Sequence, residues 1–207
     1  LNLNFTADVK KVKYNGIIIK DAKGQMMVNK GGITLKQTGF NLIGAPVSMD
    51  ADYTSTGPKS AFFNYHISAK DFDIKKAYNG IKLFRDMATA AEHAEGLVSL
   101  DYQLNGKLNS DMQPVYSSLK GGGVLTASKI KMRGFKLSGA IGKSTGHDSL
   151  ANNTDLTKVE IKTTIARNII TIAPTKMRMA GFRVRFEGQV SFDKALNIKF
   201  RLGLPPL

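Results

Sequence analysis

The sequence predicts a mainly β protein of the α+β class: an elongated, twisted antiparallel sheet forming a groove or half-barrel, with one longer helix and one or two short ones. Three observations lead there. Apolar and polar residues alternate through most segments of strand length, as they do when one face of a strand is covered and the other is wet. Turn pairs such as Asn15-Gly16 and Gly31-Gly32 recur at short intervals between those segments. One stretch, within 71–94, spaces its apolar residues by three and four, the period of an amphipathic helix.

Taken in order, the first residues alternate imperfectly, with Leu3, Phe5, Ala7 and Val9 on one face. Asn15-Gly16, the segment Asp21 to Gly24, and Gly31-Gly32 read as successive turns of a meander. Val47, Met49, Ala51 and Tyr53 form one alternating set and Phe63, Tyr65, Ile67 and Ala69 another, with a turn at 56–59. A helix at about 72–94 follows, with Asp73 as N-cap, a potential break at Gly80 and an end at Gly96. Val98, Leu100, Tyr102, Leu104 and Leu108 make the next strand. A short helix is expected from Asn109 to Leu119, and a strand from Val124 to Met132. Phe135, Leu137, Ile141 and Leu150 read as a weak helical segment, and Lys143 to Asn153 as a polar loop. Val159, Ile161, Thr163 and Ile165, then 169–173, continue the sheet, with Arg167-Asn168 between them. The chain closes on a hairpin. Phe182, Val184, Phe186 and Val190 oppose Arg183, Arg185, Glu187 and Gln189. Leu196, Ile198, Phe200 and Leu202 oppose Asn197, Lys199 and Arg201, across a turn at 191–195. Two regions are expected, an N-terminal β-meander with its helix (1–95) and a C-terminal β region (96–207), able to share one sheet.

At 207 residues the chain is long enough to bury a core, and its apolar content of 42% is ordinary for a folded protein. No run of about 18 apolar residues spans a membrane as a helix. The chain opens at Leu1 inside a strand pattern, which reads as a piece of a longer protein. It has no cysteine, so disulfides, thiolate metal sites and cysteine nucleophiles are excluded. A net charge of +14 favours an anionic partner, although a solvated strand face built from lysine explains the same excess.

No motif carries catalysis. Gly142-Lys143-Ser144-Thr145 lacks the leading glycine of a phosphate loop, because position 137 is Leu. Asp71 and Asp73 fit helix capping better than a paired-carboxylate site. His66, His93 and His147 fall in different kinds of element and do not pair into a metal site. No Gly-x-Ser-x-Gly elbow occurs. The expectation is a protein that is not an enzyme, with no metal and no cofactor. Nucleic acid is not expected either, since the closing strands place aromatics and arginines on opposite faces, where they cannot build one stacking platform.

Residues 101–125 (DYQLNGKLNSDMQPVYSSLKGGGVL), 129–137 (KIKMRGFKL) and 186–198 (FEGQVSFDKALNI) resemble the C-terminal region of the AsmA family, the AsmA- and TamB-like bacterial envelope proteins. The resemblance covers roughly 96–204 and rests on glycines and alternating apolar residues. It departs at Asp193-Lys194, where the family's closing turn carries Asp-Gly. It implies a non-enzymatic module on the periplasmic side of the cell envelope, tethered to the inner membrane by a segment outside this chain. It also implies a part in outer-membrane assembly and the handling of phospholipid along an apolar β-groove.

On that reading Val98, Leu100, Tyr102, Leu104, Val159, Ile161, Ile165, Phe182, Val184, Phe186, Val190, Ile198, Phe200 and Leu202 line the groove. Lys129, Lys131, Arg133, Lys136, Arg183, Arg185, Lys199 and Arg201 face an anionic surface. The expected partners are phospholipid or fatty acyl chains, the membrane surface and other envelope proteins. The alternative is a structural or protein-interaction scaffold of the envelope whose apolar residues close into an ordinary core and take no lipid.

Overall fold

The computed structural model describes residues 2–14, 16–132, 154–156, 159–179 and 182–203. The strands are β1 (Leu3–Tyr14), β2 (Ile17–Asn29), β3 (Gly32–Leu42), β4 (Ala45–Gly57) and β5 (Ser60–Asp73). Two helices follow, α1 (Ile74–Gly80) and α2 (Lys82–Met87), and then a 3-10 turn at Thr89–His93. The remaining strands are β6 (Ala94–Leu108), β7 (Lys120–Met132), β8 (Thr154–Leu156), β9 (Val159–Ala166), β10 (Ile169–Met179), β11 (Phe182–Ser191) and β12 (Leu196–Gly203).

All pair antiparallel into one open 12-stranded sheet, in chain order from β1 to β12. β8 and β9 lie end to end, both between β7 and β10. The regions before and after residue 95 share this sheet through the β5–β6 ladder, which runs from Ala61↔Leu108 to Asp73↔Leu97. The chain therefore has an inner sheet face, on which α1 and α2 pack, and an outer face that is largely polar.

The expected turns at Gly16, Gly31 and Arg167-Asn168 are present, and each uses positive φ. The segment 21–24 is not a turn. β2 runs straight through it, and Asp21, at φ 52°, sits in a bulge between Lys20 and Lys23. Equivalent shifts occur at Gln37 in β3, Asp71 in β5, Lys129–Ile130 in β7 and Pro174 in β10.

A bulge adds one residue and so reverses which parity faces inward. In β5 the buried set passes from Ala61 and Ala69 to Phe72; in β7 it passes from Ala127 to Ile130. The imperfect alternation in the sequence is thus a phase change, and it keeps the apolar side chains on the inner face along strands of up to 15 residues.

The helical segment is broken rather than continuous. Asp73 caps α1 by accepting from the Lys76 amide at 2.9 Å, but Ile81 after Gly80 is extended (φ −117°, ψ 103°) and restarts the helix as α2. The short helix expected from Asn109 is a loop ending in a 3-10 turn at Tyr116–Ser118. The Asn109 side chain accepts from the amides of Asp111 and Gln113 at 3.0 and 2.9 Å, which competes with helical hydrogen bonding, and Met112 has φ 58°. Leu119 beyond it is fully buried. Residues 135–153, read as a weak helix and loop, lie outside the described residues.

The glycines at 121–123 lie within β7 rather than before it. A Cβ on Gly122 would sit 2.3 Å from the Thr163 carbonyl oxygen, and its φ is +156°. β7 can approach β9 this closely only without a side chain there. Gly122→Ala is therefore expected to destabilise the fold by on the order of 3 kcal/mol, read as a fall in the urea midpoint. An unchanged midpoint contradicts this packing.

Candidate functional site

The inner face is organised by register. Pairing partners place Phe5, Met26, Leu35, Ala51, Tyr65, Leu104, Gly121, Ile165, Ile170, Val190 and Leu196 in one row that crosses the sheet from edge to edge. At about 4.8 Å between strands the row is roughly 50 Å long. Its middle is closed off, with Leu104, Ile165 and Ile170 at most 4% exposed. Its ends are open, with Phe5 45% and Leu196 67% exposed. A second row, Val47–Ala69–Leu100–Leu125–Ile161, lies beside it.

All the described groove candidates share this face, but they divide by depth. Val98, Tyr102, Leu104, Val159, Ile165 and Val184 are buried; Leu100, Ile161, Phe186, Val190 and Ile198 are half-buried; Phe200 and Leu202 are exposed. The expectation of an open lining is corrected for the central strands. There the helices roof the face, because Ile74, Ala77, Ile81 and Phe84 pack onto it and Phe84 meets Phe72 edge-on at 5.6 Å. Phe186 and Phe200 stack at 6.0 Å on the unroofed part. Phe182 holds its place in β11, and only its backbone is described.

Between roof and sheet lies an apolar cavity of about 160 Å³. Its walls are Leu42, Ile43, Val47, Ala69 and Leu100 from the sheet and Ala77, Ile81, Leu83, Phe84, Met87 and Ala88 from the helical segment. The polar groups that reach it are few. The Tyr102 hydroxyl and the Thr163 hydroxyl bond each other. Burial, and then the neighbouring Tyr102, pushes the Tyr65 phenol up to about 12, so it stays neutral. Apolar cavities of this size stay dry and take up small hydrocarbons. A larger cleft of about 690 Å³ beside Phe62, Asn64, Lys107 and Ser118 mixes charged and apolar walls.

A polar cluster holds the roof in place. Lys82 Nζ donates to Asp86 Oδ2 at 2.5 Å and to the Tyr116 hydroxyl oxygen at 2.7 Å, while the Tyr116 hydroxyl donates to Asp86. The Tyr116 ring stacks at 4.8 Å on Phe192, which the β11–β12 turn buries. α2 has six residues, too few to hold a helix unaided, so these contacts anchor it. Burial pushes the Asp86 carboxyl up, but hydrogen bonds from Lys82 and Tyr116, with the charges of Lys82 and Arg85, outweigh it and hold the carboxyl low. Bonds to Asp86 and Tyr116 raise the Lys82 ammonium.

Most of this site is not legible in the sequence. The cavity walls from β3–β5 and the helices lie before residue 95, outside the stretch that carried the family resemblance, although Phe63, Tyr65, Ile67 and Ala69 show the same alternation. Of the other candidates, Asp73 is the helix cap, and Asp71 accepts from Ser99 Oγ at 3.4 Å across the β5 bulge. His66 pairs with Asp101 at 2.9 Å on the outer face. His93 ends the 3-10 turn, whereas His147 and the 142–145 segment lie outside the described residues.

Among the anionic-surface candidates, Lys131, Arg183, Arg185, Lys199 and Arg201 are exposed. Lys129 is described by its position in β7, and Arg133 and Lys136 lie outside the described residues. Register adds Lys176 and Arg178, opposite Arg185 and Arg183. Compared with protein-family models, curated proteins and solved structures, the chain finds no match.

Because the Asp86 carboxyl is held below its ordinary value of 3.8, its contribution is present above that value and is lost as the pH falls through the lower folded-state value. The raised Lys82 contributes below 10.5 and loses this as the pH rises through its folded-state value. Tyr116→Phe removes about 1 kcal/mol of anchoring. Amide exchange in α2 is then expected to quicken about fivefold, and in the wild type to quicken as the pH drops below 3.8 after correction for intrinsic rates. Equal exchange in both proteins removes the cluster's role.

Proposed function

We propose that this chain is a non-enzymatic, lipid-handling module of the bacterial cell envelope, AsmA-like in kind, that holds acyl chains of phospholipid or fatty acid against the inner face of its sheet. The observation that carries this reading is the edge-to-edge apolar row, open at both ends and roofed at its centre over an apolar cavity. A sheet face of this kind must be covered by protein or by something equally apolar. The helical segment covers only the middle. An acyl chain laid along the row gains roughly 0.8 kcal/mol for each methylene it buries. The walls of the central cavity lack contacts on their open side, which an apolar occupant supplies.

The resemblance of 101–125, 129–137 and 186–198 to the AsmA family supports the same reading. With it come a periplasmic location, a tether outside this chain and a part in outer-membrane assembly. The exposed cations suit anionic headgroups.

Native mass spectrometry of the purified chain, followed by extraction, is expected to show fatty acid or phospholipid at near-stoichiometric amounts. Ala69→Ile fills the cavity from β5 and is expected to lower lipid content at least severalfold while leaving the melting temperature unchanged or higher. A lipid-free wild-type protein that also takes up no added fatty acid would falsify this reading and leave the scaffold alternative.

A further inference from the structure

The outer face of β10–β12 bears a row of cations with no described partner. Lys176, Arg185 and Arg201 stand directly opposite one another across the three strands, and Arg178 and Arg183 pair in the next row. Neighbouring strands lie about 4.8 Å apart, and like charges placed opposite destabilise a sheet. Glu187 is the sole carboxylate within these strands; among the described residues it forms no ion pair, and neither do these cations. On β12, the edge of the sheet, Phe200 and Leu202 are exposed on the opposite face. The edge therefore presents cations on one side and the open end of the apolar inner face on the other.

We infer that this edge docks on an anionic phospholipid bilayer, with the cations on lipid phosphates and the inner face meeting the acyl region. The inference rests on the lipid-handling reading and names the end at which that face meets a membrane. Charge complementarity selects the occupant. Uncompensated guanidinium groups one strand apart suit phosphodiesters that can move to meet them. A nucleic acid fits worse, because the described aromatic side chains of these strands, Phe186 and Phe200, lie on the face opposite the cations, where bases have nothing to stack on beside them. The opposite edge also carries cations, with Lys11 facing Lys20, but β1–β3 hold no arginine and two carboxylates, Asp8 and Asp21, and Asp8 pairs with Lys23 at 3.3 Å, so that edge suits phosphates less.

The test is co-sedimentation of the full chain with vesicles of phosphatidylcholine alone and of phosphatidylcholine mixed with phosphatidylglycerol. Binding is expected only to the anionic vesicles, and to weaken with salt. Each cation near the surface contributes about fivefold, so Arg185→Gln/Arg201→Gln is expected to bind roughly 25-fold more weakly. The double variant should keep its circular dichroism, its melting temperature and the lipid content read by mass spectrometry, so a failure of docking and a failure of acyl binding are told apart. Lys10→Gln/Lys13→Gln, at the far edge, removes the same charge and is expected to bind like the wild type. Equal weakening by both variants shows a response to net charge and overturns the inference. So does equal binding to both kinds of vesicle, or full displacement by inorganic phosphate at constant ionic strength.

Discussion

An open sheet with one apolar face has to be covered, and the rest of this structure follows from how incompletely that is done. A sheet that curls into a barrel covers its own face, and two sheets cover each other. Here β1 and β12 remain apart, and among the described residues the cover is one broken helical segment between β5 and β6, with Tyr116 and Phe192 beside it. It seals the strands beside it, where the core residues cluster, and leaves Leu3, Phe5 and Val9 at one end and Phe200 and Leu202 at the other more than a third exposed. Core and candidate binding surface are therefore the same row of residues at different depths.

Bulges make that row possible. A long strand with strict alternation keeps one parity inward, whereas this sequence changes parity partway along several strands. Without the extra residues at Asp21, Gln37, Asp71 and Pro174 the apolar sets in each strand would split between faces. The positive φ at Asp21, Gln37 and Asp71 is the backbone cost of keeping them together.

The two faces also divide the chemistry. Buried tyrosine and threonine on the inner face are satisfied or stay neutral: Tyr102 and Thr163 bond each other, Thr175 Oγ1 donates to the Ala173 carbonyl at 2.8 Å, and Tyr65 keeps its proton. Among the described residues charge lies on the outer face, in turns and on the roof, which includes its anchoring cluster. In that cluster Lys82 and Asp86, one turn apart on α2, meet Tyr116 from 30 residues beyond Asp86, and together they hold a six-residue helix to the β11–β12 turn through Phe192. A roof held this way depends on a few polar contacts, whereas the strands beneath depend on their ladders.

The local features were legible in the sequence. Period-two alternation, turn pairs at Gly16, Gly31 and Arg167-Asn168, and the Asp73 cap are properties of a few neighbouring residues, and the antiparallel sheet with few helices follows from them. The charged and apolar faces of β11 and β12 were legible for the same reason. Tertiary structure decided the rest. Whether Asp21 to Gly24 turns or bulges depends on the partner strands β1 and β3, and local composition allows both. Where Tyr65 meets Leu104 or Arg185 meets Arg201 is set by register between strands. Which apolar residues are core and which stay open was decided by where the helical segment lands, a long-range choice that no periodicity encodes.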